Sequence, residues 1–280
     1  MKTVVITGIS SGIGYATAEN FLSKGWTVIG SVREIESVAA LKNKFKEKLI
    51  LWVIDLTSIS EIDSIKSLLD KYHITQIEAL VNNAGIAIPG PFQFQDFNEI
   101  QQTLSLNVLA VMKLTQVLIP FLISNQGRII NISSVSGVNG SPFLAGYCAS
   151  KHAIEGFSES LRREMKIYGV QVIIVGPGSI KTPIWSKGFS TLVYLYDQTF
   201  FKKSFSRFIQ FAQSEEKHAL PVQAVVDDIA DAIESEKPKI RYAPIPRKFR
   251  NWYLGMLIPR KKYDELICKS LALVENKKNL

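Results

Sequence analysis

Short runs of Val, Ile and Leu alternate along this chain with longer segments whose apolar residues recur every three or four positions. The runs TVVITG, TVIGSV, LILWVIDL, EALVNNAG, GRIINISS and VQVIIVGPG are bounded by Gly, Asn or Asp and predict buried strands. Between them, residues 13–24, 58–71, 97–123 and 146–168 have the length and pattern of helices. Strands apolar on both faces, alternating strictly with helices, indicate an α/β protein with a doubly wound parallel sheet. No repeat or low-complexity linker interrupts the series, so residues 1–280 read as one domain. After Thr182 the regularity ends. Residues 183–220 carry no strand signal and are dense in aromatics, among them Trp185, Phe189, Tyr194, Tyr196, Phe205 and Phe208.

Composition narrows the function classes. With 46% hydrophobic and 21% charged residues, the chain reads as a globular protein. Its two cysteines, Cys148 and Cys268, suggest no disulfide framework and suit a reducing, cytoplasmic setting. His73, His152 and His218 lack the spacing of metal ligands, and no metal is expected. No apolar run approaches the roughly 20 residues of a membrane span, and KTVVIT leads into a glycine motif rather than a cleavage site. The net charge of +8 is local: residues 237–262 hold nine Lys or Arg and no Asp or Glu, so the remainder carries −1. That asymmetry argues against a general affinity for nucleic acid.

Three motifs bring in chemistry. TGISSGIG, Thr7 to Gly14, follows the first strand directly. Gly8 allows a tight turn, Gly12 lets the backbone approach a pyrophosphate, and Gly14 permits close packing of the next helix, whose N-terminal amides suit phosphates. NNAG occupies Asn82–Gly85. YCASK sets a phenol and an ammonium, Tyr147 and Lys151, four residues apart and therefore on one helical face. In this order and spacing the motifs resemble the short-chain dehydrogenase/reductase family over residues 3 to about 182, with a Rossmann-type fold. The branch most similar holds hydroxysteroid, retinol and carbonyl reductases.

The resemblance implies that Gly8, Ser10, Ser11, Gly12, Ile13 and Gly14 line a nicotinamide cofactor. It places Asp55 and Leu56 at the adenine, Asn83 beside the adenine ribose, Gly85 of NNAG at the cofactor, and Pro177, Gly178, Ile180 and Thr182 around the nicotinamide carboxamide. Asp55 has a second reading as a strand-end cap. Where NAD enzymes of the family carry an acidic residue for the ribose 2′-hydroxyl, this chain has Val32, followed by Arg33. A guanidinium suits a 2′-phosphate and favours NADP(H), with Glu34 as a partial counterweight.

The resemblance also supplies a catalytic set. Tyr147 is the acid–base group, and Lys151 lowers its pKa while holding the nicotinamide ribose. Ser134, thirteen residues before Tyr147, holds the substrate oxygen, and that offset selects it over Ser133. Asn107 anchors a water in a proton relay through its carbonyl. Cys148 and His152 read as structural. The implied activity is hydride transfer between NADP(H) and a hydrophobic alcohol, ketone or aldehyde of steroid, retinol or carbonyl type, with residues 183–220 as a helical lid. A cofactor-sensing regulatory protein is the alternative, and a nucleotide-sugar epimerase shares only YxxxK. The basic extension at 237–280 reads either as a pocket lid or as a peripheral contact with anionic membrane. A homodimer through the helices of Asn107 and Tyr147 is a further expectation.

Overall fold

The six apolar runs form β1 (Thr3–Ile6), β2 (Thr27–Val32), β3 (Leu49–Val53), β4 (Ala79–Asn82), β5 (Arg128–Ile132) and β6 (Gln171–Val175). A seventh strand, β7 (Arg241–Tyr242), is too short and polar to stand out in the sequence and pairs with the edge of β6. The computed structural model describes residues 2–182, 196–248, 252 and 257–273. All neighbouring strands are parallel, in the order β3-β2-β1-β4-β5-β6-β7. Every residue of β1, β2 and β4 is buried, which is why these runs are apolar throughout rather than alternating. Strand order reverses between β1 and β4, and the crevice beyond their carboxyl ends is where such folds bind ligands.

The helices are α1 (Gly12–Ser23), α2 (Ala39–Phe45), α3 (Ser64–Lys71), α4 (Phe97–Leu104), α5 (Ala110–Ile123) and α6 (Ala145–Met165), then α7 (Lys202–Glu216), α8 (Val222–Glu234) and α9 (Arg260–Leu271). One face of the sheet is covered by Phe21 and Leu22 of α1, Leu41 of α2, and Val225 and Ile229 of α8. Leu69 of α3, Leu114 and Leu118 of α5, and Leu161 of α6 cover the other. Arg128 on β5 closes the end of α8 by donating to the carbonyls of Ala232 (2.8 Å) and Ser235 (2.5 Å). Those carbonyls belong to the last turn, which has no acceptor-satisfying partner within the helix.

The predicted helix over 97–123 is continuous but contains one wide π turn, Ser105–Leu109, where Ala110 N–H reaches back to Ser105 O. Such turns recur at functional sites because they re-aim side chains within a helix. Here it carries Asn107. Averaged over its length this helix is apolar enough to cross a membrane, although Ser105, Asn107 and Lys113 break the run in sequence. Half of that apolar window is buried, because α5 is the central cover of the sheet.

Candidate active site

The turn after β1 is pinned from the neighbouring strands. Thr7 Oγ1 accepts the N–H groups of Asn83 and Ala84, both at 2.9 Å. Asn83 Nδ2 donates to the carbonyls of Thr7 (2.9 Å) and Gly8 (3.1 Å), and Gly8 N–H donates to Ser31 Oγ (2.9 Å). Asn83 thus lies against the glycine turn, and its amide nitrogen holds that turn in shape. Gly8 and Gly12 adopt φ of +70° and +59°, in the left-handed region that favours glycine. A Cβ on Gly14 would stand 2.2 Å from Gly8 O, so only glycine lets α1 close on the turn.

The start of α1 can receive an anion. Ser11 makes no capping hydrogen bond through its side chain, no acidic residue occupies the first turn, and Ser10 and Ser11 are exposed. Uncapped first-turn amides behind a glycine turn fit a dinucleotide diphosphate. Ile13 is half-buried beside them and packs on the core. At the end of β2, Val32 is buried and Arg33 exposed; among the described residues Arg33 forms no ion pair, with Glu34 or otherwise. Asp55 accepts from Thr57 N–H (2.9 Å) and Thr57 Oγ1 (2.8 Å). These bonds, helped by the charge of Arg33, hold its carboxyl below the usual range. Asp55 therefore shapes the turn after β3, while Leu56 beside it is buried.

Tyr147, Lys151, Ser134 and Asn107 converge. Tyr147 and Lys151 are buried on α6, with Lys151 Nζ 5.8 Å from the phenol ring centre. The Tyr147 hydroxyl is hydrogen-bonded to Ser134, whose Oγ also accepts Ser136 N–H at 3.1 Å. Ser133 instead donates to Glu155, so the two adjacent serines are cleanly separated. Lys151 Nζ donates to Ile132 O at 2.9 Å. Asn107 Oδ1 accepts Ile86 N–H (2.9 Å), while its Nδ2 donates to Ile86 O (2.9 Å) and Ser150 Oγ (3.0 Å). A Cβ on Gly85 would meet Asn107 Oδ1 at 3.1 Å and Lys151 Nζ at 3.7 Å, so this glycine leaves room for both.

Burial pushes the Tyr147 phenol up to about 12 in the protein without cofactor, partly offset by the Ser134 hydrogen bond. Burial likewise brings Lys151 down to about 8, with the Glu155 charge opposing the shift. Both side chains are enclosed, and desolvation outweighs their mutual effect. Ser150 is a residue the sequence reading passed over as a spacer. It accepts from Asn107 and donates to Tyr147 O (2.7 Å), joining the π turn to α6. Its place immediately before Lys151 was the available signal. Cys148 and His152 make local contacts: His152 Nδ1 lies 2.8 Å from Cys148 O, and Cys148 Sγ accepts Ser141 N–H at 3.3 Å.

After β6, Val135 N–H donates to Pro177 O (3.0 Å), tying the serine loop to the expected nicotinamide loop. Gly178 N–H donates to Pro244 O (3.1 Å). Leu220 N–H donates to Ser179 O (3.0 Å) and Lys181 N–H to Leu220 O (3.0 Å), a parallel bridge centred on Ile180. That bridge uses the groups on either side of Ile180, whose own amide has no backbone partner among the described residues. Thr182 is half-buried next to it. Of the expected lid, Trp185, Phe189 and Tyr194 lie outside the described residues. The remainder includes α7, whose Phe205 and Phe208 pack with Tyr196, Phe143 and Leu144 beside Tyr147. Phe143 is held at φ +66° with its ring 5.3 Å from that of Phe205. Leu271 of α9 is buried in the same cluster, and Ser204 Oγ donates to Ala272 O at 3.0 Å.

Comparison with known proteins agrees with this geometry. The profile of the short chain dehydrogenase family matches residues 2–192. An "NADPH-dependent 3-dehydrocapnine reductase" of Ornithobacterium rhinotracheale is 38% identical, over 97% of this chain and 98% of its own. Retinol dehydrogenase 16 of Mus musculus is 31% identical over 86% of this chain and 80% of its own. Among solved structures, a short-chain dehydrogenase from Streptomyces avermitilis superposes with a TM-score of 0.78, at 24% identity and over 98% of each chain. A profile match over most of the chain and a full-length relative leave one conclusion: this protein belongs to the short-chain dehydrogenase family and is an oxidoreductase that acts on alcohol and carbonyl groups with a nicotinamide cofactor.

Proposed function

We propose that the protein is an NADPH-dependent reductase of a hydrophobic ketone or aldehyde, with Tyr147 as proton donor. The observation that carries this reading is the convergence of the buried Tyr147 hydroxyl, hydrogen-bonded to Ser134, with the buried Lys151 on the same helical face. A phenol that retains its proton can give it to a carbonyl oxygen, which is the direction of reduction. Ser134 positions that oxygen. Lys151 presents a buried ammonium to the cofactor ribose, and the glycine turn with the start of α1 receives the diphosphate. When bound, the nicotinamide supplies the hydride. Asn107 and Ser150 fix the π turn against α6, so that the backbone near Asn107 stays in place beside Lys151.

The substrate side supports an apolar molecule. Phe143, Leu144, Tyr196, Phe205 and Phe208 form a wall next to Tyr147, and the packing of α9 on this wall favours the tail as part of the pocket cover over a membrane contact. 3-Dehydrocapnine is the first substrate to try, given the reductase named above. Purified protein tested with NADPH and NADH against ketones and aldehydes of graded size decides the matter. Oxidation of NADPH that rises with apolar bulk supports the reading. Turnover confined to small polar carbonyls, or no turnover with any of them, sinks it.

Arg33 carries the cofactor preference. Its exposed guanidinium has no ion-pair partner among the described residues and follows a buried valine where a carboxylate would repel a 2′-phosphate. Arg33→Ala is expected to weaken NADPH binding about tenfold or more, the loss of a charge-assisted hydrogen bond, while NADH binding changes little. Fluorescence titration with each cofactor measures this directly. Equal weakening of both would assign Arg33 to the shape of the turn instead.

A further inference from the structure

Beyond the four converging residues lies a partly buried chain of polar contacts. Glu155 follows Lys151 by one turn of α6. One of its oxygens accepts the hydroxyl of Ser133, the residue before Ser134, and the other pairs with Arg241 Nη1 on β7. Both side chains are mostly enclosed, with Glu155 18% and Arg241 23% exposed. Trp252 stacks on the guanidinium, 5.0 Å from ring centre to the guanidinium carbon. Two glycines make room for this arrangement. A Cβ on Gly137 would stand 2.6 Å from Ser133 Oγ and 3.1 Å from Glu155 Oε1, and one on Gly176 would stand 2.5 Å from Arg241 Nη2.

A surface ion pair would give little reason to look further. This one touches both ends of the reacting group: the serine loop through Ser133, and Lys151 through the field of the carboxylate. Arg241 from β7 pairs with Glu155, Lys151 stands one turn before it on α6, and Glu159 one turn beyond it is paired with Arg163.

We propose that Glu155 and Arg241 are positioning residues of the reaction, Glu155 holding Lys151 charged and the Ser134 loop in place, and Arg241 setting how strongly that carboxylate acts. This extends the catalytic reading above and rests on it. The two charges act on Lys151 with opposite sign. The carboxylate favours the ammonium, and the guanidinium weakens that influence. Removing each therefore moves the lysine in opposite directions, a signature that loss of structure does not produce.

The test is the pH dependence of kcat/KM for NADPH, which reports groups of the free enzyme. Wild type is expected to fall above about pH 8 as Lys151 loses its proton. Glu155→Gln keeps the shape and an acceptor for Ser133 but no charge; its alkaline limb should move down by about half a pH unit to one unit. Arg241→Gln leaves the carboxylate unopposed and should move the limb up by a similar amount, about half a unit to one. Limbs that coincide with wild type, or that move in the same direction, overturn the proposal, as does a wild-type profile flat through pH 8. Either variant alone carries the test if the other does not fold. Tyr147→Phe assayed in parallel separates the two readings. If it loses turnover while the limbs coincide, only this inference fails; if it keeps turnover, the proposed function fails.

Discussion

Tyr147→Phe is expected to bind cofactor with nearly wild-type affinity and to turn over about 10²–10⁴-fold more slowly, the usual contribution of a positioned acid–base group. The change removes one oxygen from a buried site, so the ring keeps its packing among Phe143, Leu144 and Phe205. The lost hydrogen bond is that with Ser134, which retains the Ser136 N–H as a partner. Stability should therefore drop by no more than about 1–2 kcal/mol. Single-turnover mixing with NADPH, where hydride transfer is observed directly, is the proper measurement. A variant that keeps more than half of the wild-type rate there would remove Tyr147 from the mechanism.

Lys151→Met is expected to dissociate activity from stability. Lys151 is buried, and its amine falls from 10.5 to about 8 on folding. At neutral pH the folded protein therefore carries this charge at a cost of a few kcal/mol. Methionine relieves that cost but leaves Ile132 O without its donor, worth about 1–3 kcal/mol. The two effects nearly offset, so the melting temperature should stay close to that of wild type. Turnover should fall by at least about 10²-fold, with weakened cofactor binding. The sign of the pH effect is fixed by the depressed value. Between pH 8 and 10.5 the unfolded lysine still binds a proton that the folded one has released, so wild-type stability gains from this group as pH rises. The methionine variant lacks that gain. A large loss of melting temperature, with the pH slope intact, would show that Lys151 is held in some other state.

Much of this architecture was legible because its signals are local. The strand runs are continuous in Val and Ile, and the glycines of TGISSGIG stand where backbone geometry demands them. The pairing of Tyr147 with Ser134 rather than Ser133 followed from spacing within the resemblance, and the hydrogen bonds agree. What escaped depends on contacts between distant segments. β7 contains only Arg241 and Tyr242 and has no pattern of its own; it is a strand because β6 offers it an edge. Helix α8 did carry a signal, Val225, Val226, Ile229, Ala230 and Ile233 at helical spacing, but it follows the irregular aromatic stretch and was passed over. The enclosure of Tyr147 is likewise invisible in sequence, which shows the nearby ammonium but not the elements folded over the site. Asn83 is similar: its position was evident, but its bonds to Thr7 and Gly8 span 76 and 75 residues.

The bridge between Ile180 and Leu220 has a bearing on how such an enzyme acquires new substrates. It ties together the two ends of the segment that follows the catalytic core, independently of what that segment contains. Once the ends of a loop are fixed, doubling its length costs only about 0.6 kcal/mol. Changes of length between the fixed ends are thus cheap, whereas an exchange of the whole segment must keep partners for Phe143 and Leu144 where Phe205 and Phe208 of α7 now pack beside Tyr147. On the proposed reading of this segment as substrate cover, it would act as a cassette clipped to a constant core. A chimera that takes this cassette from the mouse retinol dehydrogenase, with the bridge residues unchanged, should inherit the donor's range of carbonyl compounds while keeping this protein's choice of cofactor.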